Sequence, residues 1–129
     1  MILNKLTNFE LLVEKTNNKY IELDKAFIEK RIPLEITKKN GYKITGFLNN
    51  NMINSYFGSY KGLSFYFNVK MNKNISNLSL YSFNETEIEI VRKEIKHGTY
   101  VFFIINFSKL EKTFFVPANF ILEYWDDFE

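Results

Sequence analysis

The sequence predicts an α/β (α+β) fold, in which helices flank a mixed central β-sheet. Three observations support this prediction: helix-like and strand-like apolar patterns follow one another along the chain, an Asn-Gly pair joins two alternating segments, and one strand-like run is apolar almost throughout. A chain of 129 residues can bury one core but not two independent ones. We therefore expect residues 1–129 to form a single domain.

A first helix is predicted over residues 8–22. Thr7 and Glu10 have the spacing of a capping box, and apolar residues follow at near-helical intervals. The periodicity alone would let this helix continue to Lys30. Pro33 and the β-prone residues before it support, equally well, an end near residue 24 and a following strand.

A β-hairpin is predicted over about residues 33–52, with Asn40-Gly41 at its tip. Alternating residues flank this pair, and both central positions of a type I′ turn need positive φ, which Asn and Gly tolerate. Two further strands follow, separated by a turn at Lys61-Gly62. In the longer one, Tyr66 and its alternate neighbours fall on one face, which we expect to meet a cleft or solvent.

The remaining elements are a second helix over about residues 85–97, two strands and a short final helix. Asn84 is a predicted N-cap with Glu87 at the third helical position, and Gly98 ends the helix. The run over residues 99–107 is nearly continuous in apolar residues, as expected for an interior strand covered on both faces. Another strand pairs beside it, and the final helix precedes an acidic tail.

The composition excludes several kinds of site. The chain has no cysteine and a single histidine, His97, so a disulfide framework, a thiolate zinc site and Cys/His catalysis are excluded. The longest apolar run, residues 101–107, is shorter than a membrane helix requires. Residues 1–15 lack the features of a signal peptide. We therefore expect a soluble, cytoplasmic protein.

Basic residues are concentrated in the first part of the chain. Residues 1–70 contain 11 Lys or Arg and 6 Asp or Glu, whereas residues 71–129 contain 6 and 9. Between residues 30 and 43, five basic residues accompany Glu35 alone. Such a patch would attract a polyanion. On charge alone, a hairpin kept in solution by its lysines explains the pattern as well.

Several segments match, in order, the motifs of one nuclease family. They are FELLVEKTNNKY, AFIEKRIP, YFGSYKG, FYFNVK, FNETEIEIV, HGTYVFFIINF and FILEYWDD. In these segments the chain resembles the RecU-type Holliday junction resolvases, which belong to the restriction-endonuclease-like nucleases. The resemblance implies that the first helix ends early, that a strand follows it, and that the hairpin is a short form of the stalk thought to enter the junction.

The resemblance also implies a degenerate nuclease site. Ser55 stands where the family has an Asp, and Asn68 where it has a Glu, whereas Glu87 corresponds to a helix Gln. Glu10 and Lys70 match the family pattern. Since Mg²⁺ relies on carboxylate oxygens, we expect no cofactor; Mg²⁺ would be needed only if the site is active, with Glu10 and Glu87 as ligands. An unpaired Lys70 would then attract a phosphate directly.

The expected ligand is four-way DNA, read by its shape and charge. Stacking on Tyr56, Tyr60 and Tyr66 could supplement the contacts. Two symmetric nicks require two sites, so the resemblance implies a homodimer. The predicted DNA-binding residues are Lys30, Arg31, Lys38, Lys39, Lys43, Tyr60 and Lys61.

Three functions are compatible with the sequence. The first is a RecU-like homologue that binds branched DNA in recombination and repair and has lost most or all endonuclease activity. The second is an active Mg²⁺-dependent junction endonuclease that uses Glu10, Glu87 and Lys70. The third is a non-catalytic, dimeric protein-interaction module.

Overall fold

The structure, a computed structural model, describes residues 8–31, 34–41, 43–48, 55–74 and 77–128; for residue 31 and residues 34–39 and 43–48 it describes the backbone alone. The elements are, in chain order, α1 (Asn8–Glu22), β1 (Phe27–Arg31), β2 (Leu34–Asn40), β3 (Lys43–Leu48), β4 (Ser55–Tyr60), β5 (Leu63–Asn72), a 3-10 turn (Leu80–Ser82), α2 (Glu85–Lys96), β6 (Tyr100–Phe107), β7 (Lys112–Pro117) and α3 (Ala118–Phe128).

The main sheet has five strands in the order β1-β4-β5-β6-β7. All neighbouring strands are antiparallel except β5 and β6, which are parallel and are connected through α2. The predicted mixed sheet with flanking helices is confirmed. β5 is the middle strand, and β6, predicted as an interior strand, lies between β5 and β7.

Apolar side chains cover both faces of this sheet, in one buried cluster on each face. On one face α1 packs through Val13 against Tyr56 and Phe67. On the other face α2 and α3 pack against the sheet, with Ile88 and Tyr66 among the buried residues. The expectation that the Tyr66 face of β5 meets a cleft or solvent is wrong. Tyr66 and Asn68 each donate a hydrogen bond to a group inside the protein, which lets this part of the face be buried.

The β2–β3 hairpin is confirmed, but its turn lies one residue later than predicted. Asn40 pairs with Lys43, and the register shifts between Ile36 and Lys38. Gly41, with φ of 61°, is therefore the first residue of the turn rather than the second. The irregularity in the ladder moves the closing pair, which the alternation pattern could not reveal.

The turn between β4 and β5 lies where the sequence predicts it. Tyr60 pairs with Leu63, and the two residues between them, Lys61 and Gly62, have φ of 45° and 84°. Positive φ at both central positions is the requirement of a type I′ turn. Gly meets it freely, whereas Lys61 is held in a left-handed conformation that a side chain disfavours.

The helices agree with the sequence at most of their ends. α1 spans the predicted residues, and Asn84 caps α2 by accepting a hydrogen bond from the Glu87 N–H at 2.7 Å. α3 continues through the predicted acidic tail to residue 128, where Asp126 forms an ion pair with Arg92 of α2. Among the residues that the structure describes, none of the helices is long and apolar enough to span a bilayer.

Candidate functional site

Glu87 of α2 reaches the sheet between two side chains of β5. Its Oε1 lies 2.7 Å from the Nζ of Lys70, and its Oε2 accepts a hydrogen bond from the Nδ2 of Asn68. The side chain of Glu87 is only 5% exposed, and that of Lys70 is 19% exposed. The carboxylate is thus enclosed and has a partner on each oxygen.

The start of α2 holds this carboxylate in place. Glu87 lies in the first helical turn, where the free backbone N–H groups and the helix dipole favour a negative charge. The side chain of Asn84 accepts its capping hydrogen bond from the backbone N–H of Glu87 itself. The predicted cap therefore also positions the site, because it sets where the third helical residue points.

The ammonium of Lys70 contacts three groups in the described part of the chain. Besides the Glu87 ion pair, its Nζ donates to the carbonyl oxygen of Ser82 at 3.0 Å and lies 5.0 Å from the centre of the Phe83 ring. The expectation of an unpaired Lys70 is therefore wrong, since Glu87 supplies the missing negative charge. Ser82 and Phe83 were not identified from the sequence, where they stand out only as the residues before the Asn84 cap.

Ser55 and Asn68, the positions that the resemblance singles out, are direct neighbours on adjacent strands. Both are buried, and Ser55 Oγ accepts a hydrogen bond from the Tyr66 hydroxyl at 3.2 Å. The Oδ1 of Asn68 is buried without a hydrogen-bond partner in the described part of the chain. The two positions thus form a neutral polar pair beside the Glu87 carboxylate.

This donor set does not fit a divalent metal ion such as Mg²⁺. Such an ion needs several oxygen ligands and prefers carboxylates. From the described residues, the pocket offers a single carboxylate, already neutralised by Lys70, with one amide oxygen and one hydroxyl. Nowhere in residues 8–31, 34–41, 43–48, 55–74 and 77–128 do three or more Asp, Glu, His or Cys side chains come together as a metal site.

Glu10 lies on the other side of the sheet from Glu87. It is buried in α1, and its charge acts on Tyr56, which belongs to the core beneath that helix. Glu14, one turn later, accepts hydrogen bonds from Lys30 Nζ at 2.9 Å and from the Tyr56 hydroxyl at 3.1 Å. Burial, foremost, and then the negative charge of Glu14 raise the pKa of Tyr56 well above its usual value.

The predicted DNA-binding residues fall in three places. Lys30 is engaged in the ion pair with Glu14. Tyr60 is 46% exposed, and the Nζ of Lys61 lies 5.5 Å from its ring, at the opposite end of the β4–β5 pair from Ser55 and Asn68. The other four are Arg31 on β1 and, on the β2–β3 hairpin, Lys38, Lys39 and Lys43. Their side chains lie outside the part of the chain that the structure describes.

Tyr56 and Tyr66 do not stack on a ligand. Both are almost fully buried, at 3% and 0% exposure. Tyr56 stacks on Phe67 with ring centres 5.0 Å apart, and the hydroxyl of each tyrosine has a partner inside the protein. The expectation of DNA stacking at these two residues is therefore wrong, because a satisfied hydroxyl lets an aromatic ring join the core.

The sequence of the chain is similar to one protein family and to several of its members. The family model for Recombination protein U matches residues 4–129. A Holliday junction resolvase RecU of Ligilactobacillus salivarius is 28% identical over 131 residues, covering 96% of this chain and 62% of the relative. Those of Streptococcus gordonii and Lactobacillus helveticus are 24% and 28% identical, covering 95% and 90% of this chain and 64% and 59% of theirs. The chain thus spans about three fifths of the length of these relatives.

Proposed function

The chain belongs to the RecU family, and from that premise we propose that it is a RecU-like homologue that binds four-way DNA in recombination and repair with little or no endonuclease activity. The proposed ligand follows from this membership, because the relatives are named Holliday junction resolvases. The second half of the proposal depends on the chemistry of the pocket around Glu87.

The proposed loss of activity is based on one observation. Side chains of β5 contact both oxygens of the buried Glu87 carboxylate. The ammonium of Lys70 neutralises its charge, and the Asn68 amide takes the second oxygen. A cation entering this pocket would have to displace Lys70 and would meet no second carboxylate among the residues that the structure describes there. Without such a cation, the charge that develops on a phosphate during hydrolysis has no counterpart in the pocket.

DNA binding in this proposal relies on charged residues away from the pocket. The basic residues of the β2–β3 hairpin, together with Lys61, would pair with phosphates, and Tyr60 is exposed beside Lys61. We propose that the hairpin is the stalk of a single domain and that the protein acts as a homodimer. Binding of this kind weakens steeply as salt rises, because bound phosphates release their counterions.

An active junction endonuclease is the second candidate, and the contact between Lys70 and Glu87 favours it. These two of its three proposed catalytic residues do lie together. The third, Glu10, is on the α1 face with Tyr56. An active site would thus have to assemble from both faces of the sheet, which is the main argument against it.

Incubation with a synthetic four-way junction tests both halves of the proposal. We expect retention of the junction in a low-salt gel, a much weaker shift with a linear duplex of the same sequence, and no nicking in Mg²⁺ or Mn²⁺. Symmetric nicking would refute the loss of activity. Absence of any junction retention at low salt would refute the binding, and would favour the protein-interaction module instead.

A further inference from the structure

A pocket with aromatic walls lies between the 3-10 turn, the start of α2 and the end of α3. It is on the face of the sheet opposite α1, because two of its lining residues belong to the core under α2 and α3. Its volume is about 330 Å³. We call it the aromatic pocket, and its lining residues are Leu80, Tyr81, Phe83, Glu85, Trp125 and Phe128.

Aromatic rings at the rim of this pocket are open to solvent. Tyr81 is 100% exposed and Phe128 is 74% exposed, whereas Phe83, deeper in the pocket, is 4% exposed. Phe83 and Trp125 are held by the core under α2 and α3. Exposed apolar surface rimmed by polar residues marks an interaction site in a folded domain. The pocket therefore has a fixed floor and aromatic side chains available to a ligand.

Hydrogen bonds hold the turn that presents Tyr81. The Oγ of Ser79 accepts a hydrogen bond from the backbone N–H of Tyr81 at 3.1 Å. The carbonyl oxygen of Leu80 accepts one from the backbone N–H of Phe83 at 3.0 Å. A ligand thus meets a turn that is already ordered, which lowers the entropic cost of binding.

The charge of the aromatic pocket is negative. Glu85 is the one charged side chain among the described residues that line it, and it has no counter-ion in the part of the chain that the structure describes. α3 adds Glu123, Asp126 and Asp127 and contains no Lys or Arg, although Asp126 pairs with Arg92 of α2. This surface therefore repels phosphates and attracts cations.

We propose that the aromatic pocket binds the guanidinium group of an arginine in a basic segment of a partner protein. Aromatic rings, Trp best among them, attract a cation to their faces. A guanidinium is planar, stacks on such rings and pairs with a carboxylate through two parallel hydrogen bonds, whereas a lysine ammonium is more strongly hydrated. A neutral ligand would cover the Glu85 carboxylate without pairing it, which is costly.

The aromatic pocket is next to the Lys70–Glu87 ion pair but uses a different carboxylate. Phe83 joins the two places, because its ring lines the pocket and its centre is 5.0 Å from the Nζ of Lys70. One ring of the pocket thus already contacts a cation of this chain. A site for a protein partner goes beyond the proposed DNA binding and does not rest on it.

NMR titration with a basic peptide tests the pocket. Trp125 is the one tryptophan of the chain, so its indole N–H gives a single signal in the ¹⁵N-labelled protein. The probe is a blocked peptide of alternating glycine and arginine, and the control peptide has citrulline, which keeps the shape of arginine without its charge. We expect a saturable shift of the indole signal, with binding of the citrulline peptide about tenfold weaker. A signal that does not move, or equal binding of both peptides, would overturn the inference.

Two variants at the rim locate the binding. Tyr81→Ser and Glu85→Gln should each weaken the arginine peptide about tenfold, and both side chains are exposed, so the fold should be kept. Glu89→Gln is the control for charge and Phe120→Ser the control for an exposed ring, because both residues are exposed on α2 and α3 and neither lines the pocket. Controls that weaken binding as much as the rim variants would contradict the site.

A single-stranded oligonucleotide separates this ligand from a DNA base. Bases also stack on aromatic side chains, but the acidic surroundings should keep the oligonucleotide from shifting the indole signal. An oligonucleotide that shifts it as strongly as the arginine peptide would overturn the inference. The titration contains no four-way junction, so peptide binding without junction retention removes only the proposed DNA ligand, and junction retention without peptide binding removes only the arginine site.

Discussion

Lys70 and Glu87 form an ion pair of 2.7 Å between the middle strand of the sheet and the first turn of α2, with the carboxylate almost fully buried. Each charge of a buried ion pair has lost its contact with water and is stabilised by the other charge instead. The pair therefore fixes where α2 begins on the sheet, and it uses up the one carboxylate of the pocket. The same contact thus explains both a structural role for Glu87 and the poor fit of a metal ion.

Lys70→Met should destabilise the protein by about 3 kcal/mol in urea unfolding at pH 7, because it leaves the buried Glu87 carboxylate without its counter-charge. Adding Glu87→Leu to this variant should restore part of the loss. Lys109→Met, at an exposed lysine in the turn before β7, is the control and should change stability little. Equal effects of the two lysine variants would mean that the ion pair contributes nothing.

Asn68→Asp should lower stability at pH 7 by about 2 kcal/mol, because it places a second carboxylate against Glu87 in a buried site. Millimolar Mn²⁺ should then raise the melting temperature of this variant, since two acids can share an ion that binds the folded state alone. The wild type should show no such rise. A rise of the same size in the wild type would show that the natural pocket already binds the ion.

Tyr56 should make the protein less stable in alkali. Burial and Glu14 raise the pKa of Tyr56 in the folded state, so above pH of about 10 the unfolded chain loses this proton first. The contribution is complete below pH 10 and declines above it by up to about 1.4 kcal/mol per pH unit. Urea unfolding between pH 8 and pH 11 should therefore show a steeper loss for the wild type than for Tyr56→Phe. Parallel curves would contradict the shift.

Lys61→Asn should stabilise the protein while weakening its DNA binding. Asn accepts the left-handed conformation of this turn position more readily, which should add about 0.5 kcal/mol to the free energy of unfolding. If Lys61 pairs with a phosphate, the slope of log Kd against log salt for a four-way junction should fall by about one. Lys109→Asn serves as the control, and an unchanged slope in both variants would remove Lys61 from the DNA surface.

Local patterns predicted most of the elements, because capping, alternation and turn residues act over a few positions. α1, the turn at Lys61-Gly62 and the Asn84 cap lie where these signals place them. The extension of α3 was missed, since it depends on Asp126 meeting Arg92 on another helix. The turn of the β2–β3 hairpin moved by one residue because of a ladder irregularity that leaves no trace in the alternation.

The pocket was only partly predictable for the same reason. The resemblance pointed to Lys70 and Glu87, but their contact depends on how α2 lies across β5, and the sequence separation gives no sign of it. Polar residues on alternate positions of β5 suggested an open face. In the structure, Tyr66 and Asn68 are buried and donate hydrogen bonds to Ser55 and Glu87, which lie on other elements.

Isothermal titration of Mn²⁺ into the wild type and into Glu87→Gln measures whether the Glu87 carboxylate is free to bind a cation. With Glu87 occupied by Lys70 and Asn68, both proteins should give the same weak heats. Millimolar or tighter binding by the wild type that disappears in Glu87→Gln would contradict the account, because it would show that the carboxylate is free to hold an ion.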